Sequence, residues 1–309
     1  MVKFGQFKSW MVIASLTWSF GYIYNTYTGG EVSWLVQRYK DKLQLLEQVK
    51  GPRRILLVGG SGTYFGVNAQ QIQQNLGIPV LNLGLDGNVG LDVLLETFLD
   101  NFRPGDIVTL IPEYPLIKSE DGIGGRAGKF GIAIGRPGLG KLSAQQIAQD
   151  YMLMGVPTLR GLTKSTMDIL QRGKLKGYFS SDLNANGDTT EPGKHTIKCI
   201  TYKVHPTSQH AIERISKFRE ELQAKGVTLV MELPWVYGST DDETVRNVKD
   251  TVATLSKIAP VLYDKKSLNL KTDCNMFSDT QFHLIPEAKK NRSLELAQQL
   301  RSVIASKQK

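Results

Sequence analysis

A serine flanked by glycines follows the first strongly apolar run in the body of the chain. Ser61 lies in the sequence GGSGT at residues 59–63, directly after RILLVGG at residues 54–60. Reactive groups collect at the carboxyl ends of parallel strands, and the glycines allow a sharp turn that exposes the hydroxyl. Ser61 could then act as a nucleophile and direct its own amide at an oxyanion. The same sequence also suits an ordinary strand-to-helix turn, in which Ser61 or Thr63 caps the next helix.

A serine nucleophile needs a base, and the end of the chain offers one. Asp279 and His283 lie in SDTQFHL at residues 278–284, just before the last helix. An aspartate four residues before a histidine can accept the Nδ1 hydrogen and leave Nε2 for the serine. The alternative is a solvent-facing loop histidine beside a turn-forming aspartate. His195 lies among turn residues, and His205 and His210 flank a helix start with no acid beside them in the sequence.

Other common chemistries lack their residues. The two cysteines, Cys199 and Cys274, form no CxxC pair, and HExxH and GxxxxGK[ST] are both absent, so we predict no metal and no cofactor. If the body is external, the cysteines could form a disulfide; two free thiols are equally compatible. The net charge of +9 is spread along the chain without a run of five like charges, so it points only weakly to an anionic partner, and we predict no nucleic acid. The composition excludes disordered and collagen-like proteins.

The N-terminus resembles an export signal. Lys3 and Lys8 precede an uncharged run at residues 10–24, WMVIASLTWSFGYIY, which has no small-residue cleavage site after it. We predict that residues 1–30 are an uncleaved signal anchor and that the rest of the chain is extracytoplasmic. The alternative is a buried or amphipathic helix of a cytosolic protein. Residues 31–52 predict a linker helix.

The body, residues 53–309, predicts an α/β domain. Apolar runs typical of buried strands occur at residues 54–60, 79–84, 106–112, 227–233 and 260–263. Helical patterns alternate with them, at residues 67–76, 90–102, 208–225, 244–258 and 286–304. This alternation predicts a five-stranded parallel sheet covered on both faces. The pattern fails at about residues 115–206, a glycine-rich insertion with one helical segment near residues 143–172.

Together, the serine after the first strand, Asn82-Leu83-Gly84 after the second and the Asp…His pair before the last helix resemble the SGNH (GDSL-like) hydrolase superfamily. The resemblance covers about residues 54–305, although its motifs occupy only some twenty positions. It implies a flavodoxin-like three-layer sandwich with a Ser-His-Asp site. The N-terminal anchor and the ending Asp279…Phe282-His283-Leu284 look closest to the membrane-anchored branch, which includes the D-alanyl transfer protein of teichoic acid synthesis and polysaccharide O-acetyltransferase-like proteins.

This resemblance implies roles for individual residues. Ser61 becomes the nucleophile, His283 the general base and Asp279 the orienting acid. The amides of Ser61 and of Gly84, or of the nearby Gly87, would form the oxyanion hole, in a loop shaped by Asn82.

The third motif of the superfamily, Gly-x-Asn-Asp, departs from its pattern in this chain. It falls at residues 111–114, where Glu113 replaces the asparagine that donates to the oxyanion. Glu113 can donate only if burial keeps it protonated; Tyr114 offers a hydroxyl donor instead.

These residues predict a serine-dependent acyl-ester hydrolase or O-acyltransferase that acts through an acyl-enzyme. The expected partners are an acylated small molecule or a cell-envelope carbohydrate polymer, the membrane through the N-terminal helix, and a membrane protein that supplies the acyl group. The alternative is a catalytically degenerate, membrane-anchored assembly or binding protein, which Glu113 favours. A flavodoxin-like nucleotide or flavin binder has only the glycines around Ser61 in its favour.

Overall fold

Five short apolar segments form a parallel β-sheet. In the computed structural model, which describes residues 4–30, 32–172, 181–191 and 193–306, these strands pair in the order β2-β1-β3-β4-β6. They are β1 (Ile55–Gly59), β2 (Val80–Asn82), β3 (Ile107–Ile111), β4 (Thr228–Glu232) and β6 (Val261–Leu262). Strands β1 and β3 are buried along their whole length, as expected for the centre of a parallel sheet. The predicted five-stranded parallel sheet is confirmed.

Helices cover both faces of this sheet, as predicted. Helix α4 (Ala69–Leu76) packs against α12 (Pro286–Ser306), and α5 (Leu91–Thr97) packs against α10 (Gln209–Ala224). Side chains of α4 and α12 meet those of the strands in a buried core, which includes Ile72, Leu296 and Leu300. Helix α11 (Asp242–Leu255) precedes β6, and a small second sheet pairs β5 (Val236–Tyr237) with β7 (Leu270–Lys271). The observed elements differ from the predicted ones by a few residues at their ends.

The chain divides into two compact units. The insertion unit comprises Met1–Lys40 and Gly125–Ser180; the sheet unit comprises Asp41–Gly124 and Ser181–Lys309. The sheet unit also contains the short helices α3 (Ser61–Gly66) and α6 (Tyr114–Ile117). The predicted domain limits, at residues 30 and 52 with an insertion at about 115–206, stay predictions.

The insertion unit is helical throughout its described elements. They are α1 (Phe4–Ile23), which continues as a π-helix over Tyr24–Thr28, then α7 (Ala127–Ala133), α8 (Ala144–Met154) and α9 (Leu159–Arg172). Helix α2 (Ser33–Gln48) runs from this unit into the sheet unit, where the linker helix was expected. The single helical segment expected at residues 143–172 is wrong: two helices form, because Gly155 and Pro157 interrupt it. Across the described residues, no helix combines the length and apolarity needed to cross a bilayer.

Candidate active site

The structure brings together the serine, histidine and aspartate that lie far apart in the sequence. Nε2 of His283 lies 2.9 Å from Oγ of Ser61, and Nδ1 of His283 lies 2.8 Å from Oδ1 of Asp279. Ser61 follows β1, so this contact spans 222 residues of sequence at the carboxyl end of the sheet. A hydroxyl, an imidazole and a carboxylate in this order allow the imidazole to remove the hydroxyl proton while the carboxylate orients the ring.

The loop at residues 277–284 holds His283 rigidly. Its backbone is closed by a bridge between Phe277 and Leu284, and the amide of Ser278 donates to the carbonyl of His283 (2.8 Å). The Ser278 hydroxyl donates to Asp279 Oδ1 (2.9 Å), the oxygen that faces the imidazole. His283 is only 3% exposed. The imidazole contacts Asp279, Ser61 and the ring of Phe65. The alternative of a solvent-facing loop histidine is therefore wrong.

Ser61 does not serve as a helix cap. Gly60 occupies the capping position of α3 and makes no side-chain hydrogen bond, and Ser61 is the first helical residue. Thr63 instead donates its hydroxyl to the carbonyl of Ile111, at 3.5 Å. The Ser61 hydroxyl is consequently directed at His283, and the capping alternative for this sequence is wrong.

Glu113 lies against the glycines around Ser61. Its Oε1 accepts a hydrogen bond from the amide of Gly62 (2.8 Å). A Cβ at Gly60 would overlap Oε1 of Glu113 and lie 3.0 Å from Cα of Gly87, so a larger residue there would have to displace the Glu113 carboxyl. The close approach of Glu113 and Gly87 to the serine turn explains the glycine at position 60, and it places the ends of β1, β2 and β3 at one site.

The Glu113 carboxyl is shifted towards its neutral form. Burial raises its pKa above the ordinary value, with a further increase from Asp86, while His283 and the amide of Gly62 lower it in part. Glu113 is 7% exposed, and its second oxygen forms no hydrogen bond with any residue within the described ranges. Both carboxyl oxygens lie close to Gly87, at 3.7 Å (Oε2) and 3.9 Å (Oε1) from the position that a Cβ would take there. A neutral Glu113 would accept from Gly62 with one oxygen and donate with the other.

The two candidate oxyanion glycines differ in what their amides contact. The Gly84 amide donates to Oδ1 of Asn82 (2.9 Å) and is therefore occupied. The amides of Gly87 and Ser61 donate to no acceptor in the described part of the chain. Of the two glycines named from the sequence, Gly87 is thus the one whose N–H is available to a ligand.

Asn82 is the centre of a buried network that supports the loop after β2. Its side-chain amide donates to the carbonyl of Thr63 (3.1 Å) and to Asp188 (3.2 Å). Buried Lys42 donates to the backbone carbonyls of Asn82 (2.6 Å) and Gly187 (3.1 Å). Lys42 and Asp188 could not be singled out from the sequence, because a lysine in a helix and an aspartate in a turn-rich segment carry no local sign of such a contact.

Tyr114 lies beside this site without opening to it. Its hydroxyl is enclosed by protein and meets no hydrogen-bond partner among the residues described. Tyr202, another residue that the sequence did not single out, stacks near Tyr114 with the ring centroids 6.4 Å apart. Burial, and then the nearby Glu113, raises the pKa of Tyr202 to about 12, so its hydroxyl stays protonated. These rings form an apolar wall next to Glu113.

No protein-family model matches the chain, and a search of curated proteins finds no match.

Cys199 and Cys274 form a disulfide close to this site, which resolves the choice between a disulfide and free thiols. Their Cα atoms lie 5.6 Å apart. Cys274 lies just before the loop that carries Asp279 and His283, and the amides of residues 196 and 197 donate to the carbonyl of Ser278. The disulfide thereby ties residues 196–199 to the segment just before the loop at residues 277–284. His195 lies near both sulfurs, but these are already bonded to each other.

Proposed function

We propose that the chain is a serine-dependent acyl-ester hydrolase or O-acyltransferase. The observation that carries this proposal is the continuous contact from Ser61 through His283 to Asp279, at 2.9 and 2.8 Å. The order of the sheet supports a flavodoxin-like arrangement, in which ligands bind where the strand order reverses, here between β1 and β3. The resemblance to SGNH hydrolases, membrane-anchored branch included, is part of the same proposal.

In the first half-reaction, Ser61 Oγ attacks the acyl carbon and its proton passes to Nε2 of His283. The carbonyl electron pair moves onto oxygen, and the negative charge is met by the amides of Ser61 and Gly87. His283 then gives its proton to the departing alkoxide as the ester C–O bond breaks, which leaves an acyl group on Ser61. Asp279 holds the ring in the orientation that both transfers need.

In the second half-reaction, water or a sugar hydroxyl gives its proton to His283 and attacks the acyl carbon. The bond from that carbon to Ser61 Oγ then breaks, and His283 returns the proton to Ser61 Oγ. Hydrolysis and transfer use the same residues and differ only in the acceptor. A membrane-anchored, extracytoplasmic location makes cell-envelope carbohydrate the proposed acceptor, with a membrane protein as the acyl donor. The disulfide supports an oxidising, external compartment.

Glu113 replaces the usual asparagine as the third oxyanion donor in this proposal. With its carboxyl protonated, Oε2 donates its hydrogen to the oxyanion, and Oε1 keeps the bond from Gly62. The raised pKa of Glu113 favours this protonated form. The same observations count against a degenerate site, because a neutral carboxyl donates where an ionised one would repel the oxyanion.

Labelling with a fluorophosphonate tests the nucleophile. This reagent reacts with serines that an adjacent base activates, so we expect the wild type to be labelled and Ser61→Ala to remain unlabelled. Ser302→Ala is the matched control, since Ser302 lies on the exposed part of α12 and bonds only to Gln299. Equal labelling of wild type and a folded Ser61→Ala variant would overturn the proposal.

A further inference from the structure

The net positive charge of the chain comes from one of its two units. The insertion unit contains thirteen Lys and Arg against three Asp and Glu, a net charge of +10. The sheet unit contains 25 against 26, a net charge of −1. The expectation of a charge spread along the chain is therefore wrong, because the fold gathers two distant, basic stretches of sequence into one unit.

The exposed apolar side chains are also concentrated in the insertion unit. Of the 19 large hydrophobic side chains that are exposed within the described ranges, 18 lie in the insertion unit and only Ile200 lies in the sheet unit. Half of these 18 belong to α1 and the π-helix that follows it. The other half lie at residues 151–170, and Leu159 and Leu170 are each 80% exposed. Soluble surfaces rarely leave so much contiguous apolar area uncovered.

These two groups of side chains lie together within the insertion unit. The indole of Trp18 donates to the carbonyl of Met152 (2.9 Å), and its ring lies 4.9 Å from that of Tyr151. The Asn25 side chain donates to the carbonyl of Met154 (2.7 Å). Residues 151–170 are therefore fixed beside α1, not on a separate surface.

We propose that residues 151–170, which we term the second lipid surface, insert into the apolar boundary of a bilayer with anionic headgroups, beside the N-terminal helix. Amphipathic helices with apolar side chains on one face and a basic surround bind such boundaries, and tyrosines and tryptophans are typical of the interface. The membrane attachment would then have two parts, α1 and this surface. The proposal does not depend on the acyl-transfer chemistry.

The net charge of the insertion unit favours lipid, rather than a second copy of the chain, as the partner that covers the second lipid surface. Two insertion units of net charge +10 repel each other when their surfaces meet. Anionic headgroups are attracted by the same charge. An apolar patch on a unit of strongly positive net charge thus fits an anionic bilayer and opposes self-association.

Nitroxide labels on single-cysteine additions test this proposal. Leu159→Cys and Leu170→Cys report on the second lipid surface, Phe20→Cys reports on α1, and Lys217→Cys, on an exposed site of α10, is the matched control. The full-length protein is reconstituted in vesicles of phosphatidylcholine with phosphatidylglycerol. The accessibility of each label to oxygen and to a water-soluble nickel chelate is then measured.

We expect the labels at positions 159, 170 and 20 to become accessible to oxygen and protected from nickel, while position 217 stays water-accessible. A lipid-like signal at position 20 with water-like signals at 159 and 170 would overturn the proposal and leave α1 as the sole anchor. Spin–spin broadening at 159 and 170 that dilution with unlabelled protein removes would also overturn it, because a second copy would then cover the surface. Neither result would bear on Ser61.

Discussion

The two units of this protein differ in where their polar and apolar groups face. In the sheet unit, charged side chains are buried in matched contacts: Arg54 binds Asp106 at 2.6 Å, and Arg214 binds Glu96 at 3.0 Å. The insertion unit instead carries a large excess of positive charge and leaves its large apolar side chains exposed. The proposed chemistry therefore uses buried groups of the sheet unit, and the proposed lipid contact uses exposed groups of the insertion unit.

We therefore expect that the proposed activity and the proposed membrane attachment can be perturbed separately. Substitutions around Ser61 should change turnover of a small soluble ester without changing how the second lipid surface meets a bilayer. Substitutions in the sheet unit test this separation, beginning with the largest expected effect.

Replacement of the base should have the largest effect. We expect His283→Gln to lower kcat/KM for a soluble ester by about 10⁴-fold or more, because it removes the imidazole that takes the Ser61 proton in the proposed reaction. Glutamine is preferred to alanine because His283 is buried and alanine would leave a cavity. Ester kinetics, with circular dichroism to check the fold, measure the effect.

The lipid contacts of the insertion unit should be unchanged in His283→Gln. Full activity in a folded His283→Gln variant would remove the proposed base. A changed accessibility of a label at position 170 would contradict the separation between the two units.

Replacement of Glu113 should have an intermediate effect that depends on pH. We expect Glu113→Ala to lower kcat by about 10²–10³-fold, the usual cost of one oxyanion donor. Glu113→Gln keeps both an acceptor for Gly62 and a donor, so it should retain most of the activity. In the wild type, activity should fall as pH rises through the raised pKa of Glu113, and Glu113→Gln should lack this fall. Profiles of kcat against pH for the three proteins measure the difference.

The raised pKa of Glu113 also predicts how the stability of the fold depends on pH. Because the pKa of Glu113 is higher in the folded than in the unfolded state, the contribution of this group is present below its ordinary value of 4.5 and is lost as pH rises through the folded-state pKa. Glu113→Gln should therefore gain stability over the wild type as pH rises, in urea unfolding at several pH values. Identical pH profiles for wild type and Glu113→Gln would show that Glu113 is not the protonated group that donates a hydrogen bond to the oxyanion.

Removal of the disulfide should have the smallest effect on catalysis. We expect the double variant Cys199→Ser/Cys274→Ser to lose about 2–4 kcal/mol in the free energy of unfolding, since the link closes a loop of 75 residues. Activity should fall only severalfold, because the amides of residues 196 and 197 still hold the carbonyl of Ser278. Urea unfolding and ester kinetics measure both quantities. A loss of activity as large as that of His283→Gln would show that the disulfide, and not the loop's own hydrogen bonds, sets the position of the base.

The sequence allowed much of the sheet to be predicted, because buried parallel strands are short apolar runs that alternate with helical patterns. The pairing of Ser61 with His283 could also be inferred, because a serine nucleophile needs a base and Asp279 precedes His283 at a spacing that lets it orient the imidazole. The position of Glu113 between Gly60 and Gly87 could not, because it depends on side-chain packing. For the same reason the occupied amide of Gly84 was not distinguishable from the open one of Gly87.

The two-unit organisation was also beyond sequence reasoning. Residues 151–154 contact a segment around Trp18 that lies more than 120 residues away in the sequence. Neither segment has a sequence pattern that predicts this contact. The excess of positive charge is divided between two separate stretches of sequence. It became evident only when the structure placed both stretches in one unit. Lys42 likewise gave no local sign that it would be buried under Asn82.

The most direct test of the central claim is to find the acyl group on the protein. After brief reaction with an activated acetyl ester and an acid quench, peptide mass spectrometry should locate one acetyl group on Ser61, absent from Ser61→Ala. Turnover of the ester by the wild type without an acyl group on Ser61, or with the acyl group on another residue, would contradict the account.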